Sequence, residues 1–233
     1  MRSIAQFIGT IALFLAVSLT STLQAQARVE DAEQLVVKSE FTIKNMWDHP
    51  EFSKYVRHYL RESKAVVVIP SMLKGGFLIG GEGGSGILMA RGANNEWSYP
   101  AFLSIGSASF GLQFGGQSSE MLLIVMTGRG LQAILDDQVQ IGGEISGAIG
   151  PYGSGAEAST TSNMDADVIA YSISKGAFLG FNVEGTALVP RETLNREYYG
   201  QSVTPSEIVL KGVVGNPQAD QLRQTLKELM TKQ

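Results

Sequence analysis

Hydrophobic positions change their period three times along the chain, and those changes divide it. An apolar run from Phe7 to Leu19 comes first. Val29, Ala32, Val36, Ile43, Met46 and Trp47 then recur near helical spacing, until "DHPE" at 48–51 breaks the pattern. Pro50 suits the first turn of a new helix, where the N–H that proline lacks would have no partner anyway. In that second helix Phe52, Tyr55, Val56, Tyr59 and Leu60 share one face, while Lys54, Arg57, Arg61 and Lys64 share the opposite one. It reads as a basic amphipathic helix.

From Ala65 the period shortens. "AVVVI" is β-branched and is expected to end at Pro70; "GILMAR", "PAFLSIG", "ASFGLQFG" and "EMLLIVM" follow as further strands. In "VQIGGEISGAIG", Ile141, Gly143, Ile145, Gly147 and Ile149 alternate with the residues between them, the two-residue period of a strand with one apolar face. Twenty of the 27 glycines lie between Pro70 and Gly155. Glycine weakens a strand, so its recurrence points to sharp curvature or to close approach of another element. "GANNE" at 92–96 supplies a turn. Thr127 is placed to cap a helix over "GRGLQAILDD", with Leu131, Ile134 and Leu135 facing inward.

Beyond Gly155, "DVIAYSIS" and "AFLGFNVEGTALV" read as two strands joined at Lys175-Gly176. Helical signals then return. Thr204-Pro205-Ser206-Glu207 has the form of a capping box, and Asn216-Pro217 opens a last helix with Leu222, Leu226, Leu229 and Met230 inside. The expected fold is α+β: a glycine-rich, curled, mainly antiparallel sheet or barrel over 65–189, with helices over 28–64 and 190–233, in one domain.

Arg2, the apolar run and Ala25-Gln26-Ala27 stand in the order of a secretory signal peptide, which predicts cleavage after Ala27 and a periplasmic or secreted protein. The run falls short of the roughly 20 apolar residues a membrane span needs. Residues 28–233 hold 17 basic and 22 acidic residues, a net charge of −5, and that balance argues against a nucleic-acid partner. No cysteine is present, so disulfides and thiolate chemistry are excluded.

Catalytic patterns are thin. Gly81, Gly83 and Gly86 have the spacing of a dinucleotide fingerprint, but a strand and a turn follow where the phosphate-binding helix should open. Ser71 to Lys74 and Ser172 to Lys175 match S-x-x-K without the companion elements of a serine hydrolase, and no G-x-S-x-G occurs. His49 and His58 are too far apart for one ligand face. Asn163, Asp165 and Asp167 resemble the start of a calcium loop, but Val168 stands where that loop needs glycine, so a solvated loop is expected. Asp136-Asp137 reads as an exposed helix end. No cofactor or metal is implied.

The order of short motifs from Ala65 to Gly215 resembles the SYLF domain. Pro70-Ser71, Lys74, Gly76-Phe77 and Gly80-Gly81 come first, then Trp97-Ser98, Pro100-Ala101-Phe102, Phe110-Gly111-Leu112-Gln113 and Gly115. Gly150-Pro151, Gly153, Glu157-Ala158-Ser159, Tyr171-Ser172, Ser174-Lys175-Gly176, Phe178, Gly180 and Tyr198-Tyr199-Gly200 complete the series. The resemblance implies a non-enzymatic fold that binds membrane lipid, in the family acidic lipids, through an amphipathic segment near the start of the domain. It also implies actin binding in the eukaryotic branch, which export would make unsuitable here.

The helix with Lys54, Arg57, Arg61 and Lys64 occupies the comparable place. From Ala65 to Pro190 four bases face ten acids, so acidic phospholipid is expected to meet that helix, with Lys74 and Lys175 as additions. The alternatives are an envelope scaffold binding a protein partner and, further off, a hydrolase using Ser71 and Lys74.

Overall fold

The computed structural model describes residues 26–76, 79–92, 94–110, 117–136, 138–150, 165–174, 177–179 and 183–231. Two helices open it, α1 over residues 26–47 and α2 over Pro50–Glu62. Strands β1 (Ala65–Gly76), β2 (Ile79–Ala90), β3 (Ala101–Phe110) and β4 (Gln117–Val125) follow, then α3 (Gly128–Asp136). Next come β5 (Val139–Gln140), β6 (Gly147–Ile149), β7 (Val168–Ser174), β8 (Ala177–Leu179) and β9 (Ala187–Pro190). Helices α4 (Glu192–Tyr199) and α5 (Asp220–Thr231) close the described chain.

The strands form one curled sheet in the order β5-β9-β3-β2-β1-β4-β7-β6, with β8 beside β7. Every pairing is antiparallel except β6 with β7. The sheet is buried on both faces. On one, Val66, Val68, Ile87, Phe102 and Ile124 meet Val36 and Met46 of α1, Phe52 and Val56 of α2, and Leu222 and Leu226 of α5. On the other, Val67, Ile69, Leu103 and Leu123 meet Leu131, Ile134 and Leu135 of α3 and Ile208 and Val209. Each such side chain contributes roughly 1.5–3 kcal/mol on burial. Two-sided burial explains why "AVVVI" is continuously apolar rather than alternating.

Pro70 does not end the strand. β1 pairs in register with β2 up to Val68 and again from Ser71, with the shift between them. Proline has no N–H for the ladder, so the irregularity falls where a ladder bond would be lost in any case. The bulge brings chain against chain: a Cβ at Gly86 would lie 2.7 Å from the Val68 carbonyl oxygen, and one at Gly84 would collide with that of Ser71. Glycine is required at both positions.

Two expected strands are broken. Over 139–150, Ile141 and Ile145 bridge across a turn at 142–144, and the Gly142 amide donates to the Ile145 carbonyl at 2.7 Å. Gly142 has φ +88°, a conformation that reverses the chain where alternation alone suggested continuity. "AFLGFNVEGTALV" divides into β8 and β9, with a turn at Gly185, φ +81°.

The caps match their sequence signals. The Gly130 amide donates to Thr127 Oγ1 at 3.0 Å. Glu207 and Thr204 bond reciprocally, the Thr204 amide to Glu207 Oε2 at 3.0 Å and the Glu207 amide to Thr204 Oγ1 at 3.3 Å. What they open is a π-helix, Glu207–Lys211, ended by Gly212 at φ +61°. Asn216 caps the 3-10 turn Pro217–Ala219 that leads into α5. Among the described residues no helix is long and apolar enough to cross a membrane.

Candidate functional site

The apolar face of α2 belongs to the core. Phe52, Val56, Tyr59 and Leu60 are buried, and Phe52 meets the Tyr171 ring edge-on at 5.0 Å between centroids. Only the charged side of the helix faces outward. Lys54, His58 and Arg61 are exposed there, and Arg57 is half-buried. Lys54 Nζ lies 5.0 Å from the Tyr55 ring centroid, the Arg57 guanidinium 5.4 Å from that of Trp47, and Arg61 Nε donates to the Met230 carbonyl at 3.1 Å. Lys64 follows the helix end, exposed, with its amide donating to the Val125 carbonyl at 2.8 Å.

Lys74 is not part of this group. Lys74 sits ten residues along β1 from Lys64, opposite Glu82 and Gln117, about 30 Å away at the rise of a strand. The Lys74 side chain lies outside the described residues, as do Lys175 and residues 1–25. Ser71 Oγ is 3.0 Å from Ser118 Oγ. β1 pairs regularly from Ser71 to Lys74, and three steps along a strand cross to the other face, so this S-x-x-K lacks the helical spacing that would set lysine beside serine.

Gly81, Gly83 and Gly86 lie inside β2, which runs on to a turn at 92–96 rather than into a helix. Among the described residues no group of three His, Asp or Glu side chains could hold a metal ion. Asp137, Asn163 and the motif residues at 111–115, 151–159 and 180 fall outside the described residues.

Asp167 is not in a solvated loop. It is 1% exposed and accepts from Thr127 Oγ1 at 2.5 Å, Arg129 Nη2 at 2.5 Å, and the Ser146 amide and hydroxyl at 2.9 Å each. Burial alone would raise its pKa. The donors from Thr127, the Ser146 amide, Arg129 and the Ser146 hydroxyl outweigh that and hold it at about 2, below the ordinary 3.8. Its partners stand 21 to 40 positions away, so no local pattern marks this hub.

The described motif residues hold the fold together. Trp97 is buried, Ser98 Oγ accepts from the Ala90 amide at 3.0 Å, and the Tyr199 hydroxyl donates to the Pro100 carbonyl at 2.6 Å. The Tyr198 hydroxyl donates to Gln218 Oε1 at 2.7 Å, and Gly200, φ +70°, ends α4. Gly150 lies against the Tyr171 ring, where any Cβ would clash. Burial pushes the Tyr171, Tyr198 and Tyr199 hydroxyls well above the usual tyrosine range.

Fold and surface together define an α+β domain with a glycine-rich curled sheet, helices on both faces, and a solvent-facing basic helix. A family model described as "Ysc84: Las17-binding protein actin regulator" matches residues 106–229. The chain is 30% identical over 176 residues to the SH3 domain-containing YSC84-like protein 1 of Bos taurus, covering 75% of this chain and 51% of that protein. It is 31% identical over 176 residues to the Rattus norvegicus protein of the same name, covering 75% and 52%. To the LAS seventeen-binding protein 3 of Saccharomyces cerevisiae it is 34% identical over 163 residues, covering 69% and 35%. The chain belongs to the Ysc84/SYLF family. It spans about half the length of its mammalian relatives, and the family model and the yeast relative are named for binding and regulation rather than for a reaction.

Proposed function

We propose that this protein is an exported, non-enzymatic lipid-binding member of the family, meeting acidic phospholipid through the outer face of α2. The observation that carries the reading is a row of bases, Lys54, Arg57, Arg61 and Lys64 on or just after α2, beside a strand region that holds ten acids, of which Glu82 and Asp167 are buried, and four bases from Ala65 to Pro190. Each base near an anionic membrane contributes about 1 kcal/mol. With the apolar face of α2 committed to the core, attachment is electrostatic and salt-sensitive rather than insertion of a helix. Export rests on the leader pattern in residues 1–27.

Flotation with phosphatidylglycerol and phosphatidylcholine vesicles tests this. Binding to the first only, lost in Lys54→Glu/Lys64→Glu and weakened by salt, is the expected result; equal behaviour of the double variant and the unaltered protein would sink it. Cell fractionation with N-terminal sequencing checks export, expected to yield a chain beginning at Arg28. A second reading is favoured by the relatives' names: a scaffold that binds a protein partner, as a Las17-binding protein does. Capture of a defined envelope protein with no vesicle binding would select it. A serine-reactive probe tests Ser71 as a nucleophile, with no labelling of the folded protein expected.

A further inference from the structure

We propose that the outer stripe of α1 is a self-association surface, and that its occupant is α1 of a second copy of this chain lying antiparallel to it. The inference does not depend on the lipid reading above.

α1 carries apolar side chains on two sides. Ala32, Val36, Ile43 and Met46 enter the core. At 3.6 residues per turn Phe41 points almost directly away from Ala32 and Ile43, and Val37 stands one turn before it on the same outer side. Phe41 is 68% exposed, the most of any large apolar side chain among the described residues, and Val37 is 44% exposed. The helix itself is held firmly. Gln218 Nε2 donates to the Glu33 carbonyl at 3.1 Å, Thr225 Oγ1 to Glu40 Oε1 at 3.3 Å, and Asn45 Nδ2 to Glu120 Oε2 at 2.9 Å. A partner therefore meets a stripe that is already ordered.

The charges beside the stripe select the occupant. Glu33 and Lys44 are exposed, lie about three turns apart on one flank, and stand at nearly equal distances either side of the midpoint between Val37 and Phe41. Antiparallel helices related by a two-fold axis bring like flanks together in reverse order. Val37 then meets Phe41 of the second copy, and Glu33 meets Lys44 of the second copy, as flanking charges do in paired helices. Parallel pairing would set Lys44 against Lys44 instead. Lys44 lies 2.5 Å from Glu40 of its own helix, so the contact gives it a second carboxylate.

Two features keep the pair weak. On the other flank Lys38 faces Lys38 of the second copy, a like-charge contact. α1 is about 33 Å long, and a strip along one helix falls short of the roughly 800 Å² per partner of a stable interface. The association is reversible and concentration-dependent.

Sedimentation equilibrium of the purified protein from about 1 μM to 1 mM is the test, with thermal unfolding of each variant as the control for folding. Expected is a monomer–dimer equilibrium, weakened about tenfold or more by Phe41→Ser and by Val37→Ser with no fall in melting temperature, since both side chains lie outside the core. Glu33→Lys alone is expected to weaken the pair, Glu33→Lys/Lys44→Glu to restore it, and Lys38→Gln to tighten it.

A monomer throughout overturns the proposal, as does a dimer that folded Phe41→Ser and Val37→Ser leave unchanged. If the double charge reversal does not restore what Glu33→Lys loses, the antiparallel order is wrong. A monomer whose flotation with phosphatidylglycerol vesicles depends on Phe41 makes lipid, rather than a second copy, the occupant of this face.

Discussion

Replacing Asp167 by asparagine removes one negative charge from the junction of α3, β6 and β7 while keeping the shape of the side chain. The carboxylate now receives hydrogen bonds from Thr127, Arg129 and Ser146, and an amide nitrogen in its place would face donors. Its folded-state pKa of about 2 against an ordinary 3.8 corresponds to about 2.5 kcal/mol of stability at neutral pH. Because the folded pKa is depressed, that stability is fully present above pH 3.8 and is lost as pH falls through 2. About half of it remains at pH 3. Arg129 is largely exposed, so water screens part of its contribution and the figure is an upper one. At pH 7 the asparagine variant should melt about 5–10 °C lower. Thermal unfolding at pH 7, 5 and 3 is the assay, with the gap between the two proteins equal at the first two and about halved at the third. A gap that does not narrow between pH 5 and pH 3 would refute the charge argument; no gap at pH 7 would refute the hub.

Gly84→Ala should cost 1–3 kcal/mol or more, because its Cβ would strike the Ser71 backbone, whereas Gly83→Ala, whose Cβ would come no nearer than 3.7 Å to the Ile105 oxygen, should change little. Urea denaturation compares the two, and equal costs would contradict the close-approach account of the sheet. Phe52→Ala should destabilise the lipid-free protein by about 3–5 kcal/mol, since α2 lays this ring in the core; a loss under 1 kcal/mol would return that face to solvent or membrane. Thr127→Ala removes both the cap of α3 and a donor to Asp167, so its cost should exceed the roughly 1 kcal/mol of an ordinary cap and fall short of additivity with Asp167→Asn in a double-mutant cycle.

Period and capping were legible in the sequence because both are local. The helices around Val36 and Phe52, the Thr127 cap, the Thr204–Glu207 box and the buried side of α5 need only neighbours within a turn or two. The turns at Gly142 and Gly185 are not legible in the local pattern, since glycine permits extension and reversal equally and the choice is made by what lies across the chain. Pro70 read as a stop, and became a bulge because β2 supplies glycines where the chains converge. Of the candidate contact surface, the basic row on α2 is visible as spacing, but the approach of the Arg57 guanidinium to within 5.4 Å of the Trp47 ring centroid needs the turn between the helices.

The sequence by itself determined the class of fold, the family, and the amphipathic character of α2, because these follow from period, composition and the order of motifs. Only the tertiary structure decided that the apolar face of α2 is occupied by the sheet, that Lys64 and Lys74 lie at opposite ends of β1, and that Asp167 is buried. The physical reason is the same in each case. A side chain's exposure and partners depend on segments tens of residues away, and no local pattern records where those segments come to rest.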